Sequence, residues 1–352
     1  MRILLILAST FLSSLLLAEL MKKVALRFDI VDKPNTDLKT HKKATPYLGG
    51  GAVLGSVFVG LTTGFFYYDL DVASMLPMVL MFVVIAGLGL VDDIRNLSWK
   101  IRIIVQFLVG ICTYYTGFAL NVSSTPLLNV LITAFWISAI INSINIIDIM
   151  DGLSSGVAGA SGLGFGVLGM VNGIHMLTVL GFTLFGASIG FLIHNFRPAS
   201  IFLGDMGSTL VGLILAYLGI IIARSHDASL SGLLIALLLL YVPLFDLVFV
   251  SIIRIANGKS PFKGSPDHFA IRLRNSGISV EGTVSIAYSV QLMFVFLAII
   301  LNSRPEVYIP VVLGVMIMSV MFGSGLIYLP KIKRHGLSQR ILSEAAVTKD
   351  EQ

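Results

Sequence analysis

Long apolar runs alternate with short polar connectors along the whole chain. Eleven runs of 16 to 23 residues stand out: 3–20, 48–67, 75–91, 102–120, 126–142, 156–171, 176–194, 207–223, 230–252, 284–301 and 307–329. A bilayer core about 30 Å thick takes about 20 apolar residues of helix to cross. Each run therefore predicts a membrane-spanning helix. The sixth, GVAGASGLGFGVLGMV, is the shortest, and its small residues permit close helix approach. The predicted fold is all-α: one polytopic membrane helical bundle over residues 1–330 with about eleven transmembrane helices. A short, polar, frayed tail follows at 331–352.

Composition narrows the class further. Of 352 residues, 56% are hydrophobic, another 34 are glycine and 12% are charged, and mean hydropathy is +0.93. Soluble domains carry roughly twice that share of charge. Such a chain can neither coat a soluble globule with polar surface nor remain disordered. The net charge of +5 would suit nucleic acid, but the basic residues lie at the ends of apolar runs, so no nucleic-acid partner is expected. Their distribution sets an orientation instead. Segments 21–47, 95–102, 197, 254–274 and 331–349 hold 21 of the 24 Lys and Arg, while Arg2, Arg224 and Arg304 fall on the other side. The positive-inside rule then places the N-terminus outside and the C-terminus in the cytoplasm. The basic cluster Lys22, Lys23 and Arg27 follows the first apolar run, which favours a retained helix over a cleaved signal peptide. The lone Cys112 excludes an intrachain disulfide and a thiolate metal site.

Candidate chemistry gathers on the predicted cytoplasmic side. The first loop carries Asp32, Asn35, Asp37, His41, Lys42 and Lys43, more than an anchor needs. Asp92 and Asp93 are adjacent acids at a membrane boundary. They call for a nearby cation, either a divalent metal or Arg95 or Lys100. Asn142, Asn145, Asp148 and Asp151 recur every third residue, which on a helix makes them follow a curving stripe. Acids this close to the bilayer are functional by default. Gly204-Asp205-Met206-Gly207-Ser208 opens the eighth run; amides at a helix N-terminus bind phosphate, and Asp205 beside them would suit a shared metal. Asn195, Arg197 and Phe202 precede it. Asp246 lies inside the ninth run, with Arg254 two turns along the same face, and its expected partner is an Arg or a polar neighbour. The next loop supplies Lys259, Lys263, His268, Arg272 and Arg274. Oxygen ligands without thiols favour Mg²⁺ or Mn²⁺. Carboxylates, amides and cations on one face suit phosphoryl-group chemistry.

Five segments in order carry a resemblance. VDKPN with HKKATPYLGG, VDD at 91–93, NSINIIDIMDGL, FRPASIFLGDMGS and PLFDLVFVSIIRIANGKSPF resemble the polyprenyl-phosphate N-acetylhexosamine-1-phosphate transferase superfamily (glycosyltransferase family 4) over about residues 30–280. They resemble its GlcNAc-transferring branch more than the phospho-MurNAc-pentapeptide branch. Two positions depart from the family pattern: Ile149 stands for a Gly, and HFAI at 268–271 replaces a His-x-His-His motif.

The resemblance implies attack by a polyprenyl phosphate on the β-phosphorus of a UDP-N-acetylhexosamine, releasing UMP on the inner face of the cytoplasmic membrane. It implies Mg²⁺ held by Asp205 with Asp92 or Asp93, one of that pair accepting a proton instead. Asp151 and His268 complete the expected catalytic set. Asn145 and Asp148 would line the nucleotide pocket, with Asn195 and Phe202 against uridine, and Lys42, Lys43, Arg254 and Arg272 would meet phosphates or sugar. A homodimer is a candidate assembly. The rival expectations are a sibling enzyme using another donor such as UDP-MurNAc-pentapeptide, a regulatory protein with a degenerate site, and a secondary transporter. A transporter would need ionisable groups at mid-membrane in matching halves; only Asp246 is deep.

Overall fold

The computed structural model describes residues 1–32, 44–225, 230–261, 264–304 and 307–347. The elements in order are α1 (Arg2–Arg27), β1 (Val31–Asp32), β2 (Thr45–Pro46), α2 (Gly49–Tyr67), α3 (Val72–Arg95), α4 (Trp99–Tyr115), α5 (Pro126–Ile147), α6 (Leu153–Val171), α7 (His175–Asn195), α8 (Gly204–Ser225), α9 (Leu230–Leu239), α10 (Tyr241–Ala256), α11 (Phe269–Asn275), α12 (Val280–Leu301) and α13 (Tyr308–Val347). The two strands form one short antiparallel pair, Val31 opposite Pro46 and Asp32 opposite Thr45.

Every predicted run contains helix. Among the described residues nine helices are long and apolar enough to cross a membrane. α4, with 17 residues, is shorter than these. The ninth predicted run is broken: α9 and α10 meet at Leu240 with an 84° bend. Pro243 falls in the first turn of α10, where a missing N–H costs little. The polar groups that the break frees are met from α12. Gln291 accepts from the Val242 amide at 3.1 Å and donates to the Leu239 carbonyl at 2.8 Å. Inside a bilayer such groups need a protein partner, because no water is available. At the C-terminus, α13 runs on to Val347, so the expected frayed tail is helical to that point. Residues 331–347 are mostly Lys, Arg, Leu, Gln, Glu and Ala, which favour helix.

The bundle is organised around α8. From Gly207 to Ala223 every residue of α8 is buried. α2, α3, α5 and α9 pack against it, while α6 packs closely with α7, and α1 with α2 and α7. The outer helices turn large apolar side chains outward, among them Leu4, Leu16, Leu76, Ile104, Phe296 and Met316. Lipid tails are the natural neighbours of such faces.

Small residues let two helices close on the start of α8. A Cβ on Gly89 of α3 would overlap the Asp205 carbonyl oxygen and lie 2.5 Å from Met206 Cα. A Cβ on Gly50 of α2 would lie 2.7 Å from Gly207 Cα. Neither position has room for a side chain. Gly87, two residues from Gly89, faces open space. Gly89→Ala should therefore lose about 1–3 kcal/mol through overpacking, whereas Gly87→Ala should gain roughly 0.5–1 kcal/mol from reduced backbone freedom. Thermal unfolding in detergent checks this; equal shifts for the two variants would contradict the packing.

Candidate active site

The end of α3 and the start of α8 build the centre of the site. Gly204 has φ +74°, a left-handed conformation that suits glycine and turns the chain into α8. The segment before it is held by α2's approach: Gly49 and Gly50 amides donate to the Phe202 and Leu203 carbonyls at 3.0 and 2.9 Å, and the Phe202 amide donates to the Pro46 carbonyl at 2.7 Å. Phe202 itself is half-buried.

Asp93 caps α8 from the neighbouring helix. Its two carboxylate oxygens accept the backbone N–H groups of Asp205 at 2.8 Å and of Met206 at 3.0 Å. The expected phosphate-binding use of these two amides is thereby corrected, since the Asp93 carboxyl group already holds them. The Tyr47 hydroxyl fixes the end of α3 by donating to the Asp93 carbonyl at 2.9 Å.

Asp92, one residue earlier, points elsewhere because successive helical side chains diverge by about 100°. It is buried, accepts the Leu97 amide at 2.6 Å, and pairs with Arg102 Nη1 at 2.7 Å. The cation beside it is therefore Arg102, not Arg95 or Lys100. The same Nη1 lies 3.7 Å from the Asp205 carboxylate. Asp205 also accepts from the Asn145 amide at 2.6 Å, and that amide reaches the Ser208 hydroxyl at 2.9 Å. Asp92, Asp93 and Asp205 thus converge from two helices, as the sequence led us to expect.

Asp148 and Asp151 stand beside this centre but not on one helical stripe. α5 ends at Ile147, where the Asp148 amide turns back to the Asn145 carbonyl. Asn142 stays within the bundle, bonded to Gln106 of α4 at 2.6 Å. Asp148 accepts from Ser154 at 2.5 Å, and Asp151 accepts the Ala199 amide at 3.2 Å. Burial pushes the Asp148 carboxyl up to about 7, and the charges of Asp205 and Asp151 add to the rise against the Ser154 hydrogen bond.

Gly152, at φ +78°, starts α6 and is held from three sides. Its amide donates to Asn195 Oδ1 at 3.1 Å, and its carbonyl accepts the Tyr288 hydroxyl of α12 at 2.5 Å. Asn195 also accepts from Ser155 and donates to the Ile201 carbonyl. The amide expected against uridine is therefore engaged in tying α6, α7 and the following connection together.

A second cluster surrounds His268. Its Nδ1 is 2.7 Å from Asp246, whose other oxygen accepts the Phe269 amide at 2.9 Å, opening α11. Asp246 was expected to pair with an Arg or a polar neighbour, and His268 is that neighbour. Arg254 donates to the Ser260 and Gly264 carbonyls and shapes the loop. Arg272 pairs with Asp267 at 2.7 Å and lies over the Phe249 ring. Among the described residues no hydrogen bond or ion pair joins this cluster to Asp92, Asp93 or Asp205. Lys42 and Lys43 of the first loop lie outside the described residues.

Among the described residues no three His, Cys, Asp or Glu side chains stand ready to hold a metal ion. The donor set nevertheless fits one. Asp92 and Asp205 present carboxylate oxygens to a common position and Asn145 adds an amide beside them, with no sulfur nearby. Hard oxygen donors of this kind suit Mg²⁺ or Mn²⁺.

Comparison with known proteins accords with this geometry. A family model described as glycosyl transferase family 4 matches residues 75–223, the stretch that holds all five aspartates of the centre. A probable undecaprenyl-phosphate N-acetylglucosaminyl 1-phosphate transferase of Bacillus subtilis is 31% identical over 305 residues, covering 84% of this chain and 83% of its own. This chain belongs to glycosyl transferase family 4. A decaprenyl-phosphate N-acetylglucosaminephosphotransferase of Mycobacterium leprae is 31% identical over 304 residues, covering 75% of each chain. An undecaprenyl-phosphate alpha-N-acetylglucosaminyl 1-phosphate transferase of Yersinia pestis is 29% identical, covering 76% of each.

Sequence reading missed the use of Arg102, Ser154, Ser208 and Tyr288. Arg102 was visible only as a membrane anchor, and Tyr288 lies 136 residues from the turn it supports. The capping role of Asp93 has a direct test. In Asp93→Asn one helix amide would face an NH₂ group, and an unsatisfied buried donor costs about 1–3 kcal/mol. Thermal unfolding should shift down accordingly; an unchanged midpoint would remove Asp93 from this role.

Proposed function

We propose that this family 4 glycosyltransferase transfers GlcNAc-1-phosphate from UDP-GlcNAc to a membrane polyprenyl phosphate, such as undecaprenyl phosphate. The reaction would lie on the cytoplasmic face of the membrane and start a cell-envelope polysaccharide. The observation that carries this reading is the meeting of Asp92 and Asp205 through Arg102 at the capped start of α8, within a chain whose relatives are named for this transfer.

In the proposed reaction an oxygen of the lipid phosphate bonds to the β-phosphorus of the donor. The bond from that phosphorus to the bridging oxygen breaks, and UMP leaves. A phosphate monoester with a second pKa near 6 is largely dianionic at neutral pH, so it needs little help from a base. The obstacle is the meeting of anions, and electrostatic preorganisation is the main contribution asked of the protein.

Asp205 and Asp92 would hold Mg²⁺, or Mn²⁺, which when bound neutralises charge on the pyrophosphate. Asn145 keeps the Asp205 carboxylate in place. Both oxygens of Asp93 accept amides of α8 in this arrangement, which favours a positioning role over that of a base. Asp148 and Asp151 line the neighbouring turn and would face the nucleotide. A secondary transporter is disfavoured because the ionisable groups gather at one end of the bundle.

The test uses purified protein in detergent with Mg²⁺, polyprenyl phosphate and a panel of UDP-sugars, scoring UMP. UDP-GlcNAc should support release. Asp205→Asn should reduce it by about 10²- to 10³-fold, the scale of losing one charge-stabilising group. UMP release from no donor in the panel would overturn the reading.

A further inference from the structure

Among the described residues, Arg102 is the cation that bridges Asp92 and Asp205. One nitrogen of its guanidinium serves both carboxylates, at 2.7 and 3.7 Å. Building on the proposed reaction, we propose that Arg102 is an internal stand-in for the divalent cation: it holds the position between Asp92 and Asp205 in the ligand-free enzyme and must leave when metal loads.

Burial makes a counter-charge obligatory. Asp92 is 3% exposed, and a buried carboxylate stripped of its partner is strongly destabilising. Asp93 and Asp205 stand beside it, and Asp93 already spends both oxygens on α8. Arg95 and Lys100 make no ion pair with these acids among the described residues. The charge of the centre therefore rests on Arg102.

The same placement makes Arg102 and a metal ion competitors. Both take the oxygens of Asp92 and Asp205, and two cations at that separation repel. Arg102 can move, because it projects from the first turn of α4 and its side chain is about one-third exposed. A displaced guanidinium needs another anion, and a pyrophosphate arriving with the metal offers fitting oxygens, since guanidinium binds phosphate through paired hydrogen bonds. Metal and donor would then load together, while metal alone would bind weakly.

Mn²⁺ binding without nucleotide, followed by electron paramagnetic resonance on the full-length protein in detergent, tests the proposal. Arg102→Gln should bind Mn²⁺ at least tenfold more tightly than the wild type, and Arg102→Lys should stay near the wild type. A purely structural Arg102 would leave the affinity unchanged or lower it on removal, and either result in Arg102→Gln overturns the proposal. Should Arg102→Gln fail to fold, the wild type supplies a second measurement. Saturating Mn²⁺ should speed labelling of Arg102 by phenylglyoxal, read by mass spectrometry; unchanged or slower labelling overturns the competition. UMP release by the wild type is scored separately. Its absence would sink the proposed reaction, whereas unchanged Mn²⁺ affinity of Arg102→Gln in an active enzyme would sink only the role of Arg102.

Discussion

The start of α8 is where the molecule solves its hardest local problem. The first backbone N–H groups of a helix have no carbonyl partners within it. Asp93 meets two of them with the two oxygens of one carboxylate. That single contact joins α3 to α8, fixes the direction in which α8 leaves the turn at Gly204, and so decides where the Asp205 side chain stands. Hydrogen bonds between protein groups contribute about 0.5–1.5 kcal/mol each net, and carboxyl oxygens complement the positive end of the helix dipole.

The remaining features follow from this junction. Gly89 and Gly50 have no side chains because α3 and α2 must come this close to place the cap. Asp92 does not share in the cap; its carboxylate lies near that of Asp205, where it needs its own counter-charge and finds Arg102. Asn145 reaches across from α5 to hold Asp205 on its other side. The turn after α5 then carries Asp148 and Asp151 past the same centre, braced through Gly152 by Asn195 and Tyr288. The second cluster, around Asp246 and His268, is built by the same logic: a buried carboxylate caps a short helix and orients a ring.

Much of this was legible in the sequence because membrane spans impose a coarse rule. A run of about 20 apolar residues is hard to misread, and all eleven runs hold helix. Charge asymmetry and the order of the polar segments pointed to one end of the bundle for the chemistry, and the acids do converge there. What stayed hidden depended on direction and partnership. Adjacent aspartates look alike in a string, yet the roughly 100° between them on a helix sends one to a cap and the other to an arginine. The three-residue spacing from Asn142 to Asp151 suggested one stripe, but the helix ends at Ile147, so the four side chains take separate partners. The pairing of Asp246 with His268 joins residues 22 apart in the chain, and the break at Leu240 relies on Gln291, far along the chain. No local pattern announces either.

The central claim is that Asp205, placed by the Asp93 cap, forms with Asp92 the cation site for sugar-phosphate transfer. The most direct measurement is a crystal of the protein grown with Mn²⁺ and UDP, read by anomalous scattering at the manganese edge. The account predicts one strong peak at about 2.0–2.5 Å from carboxylate oxygens of Asp205 and Asp92, with the guanidinium of Arg102 moved away. A peak bound elsewhere, with Arg102 still seated between the two carboxylates, would contradict it.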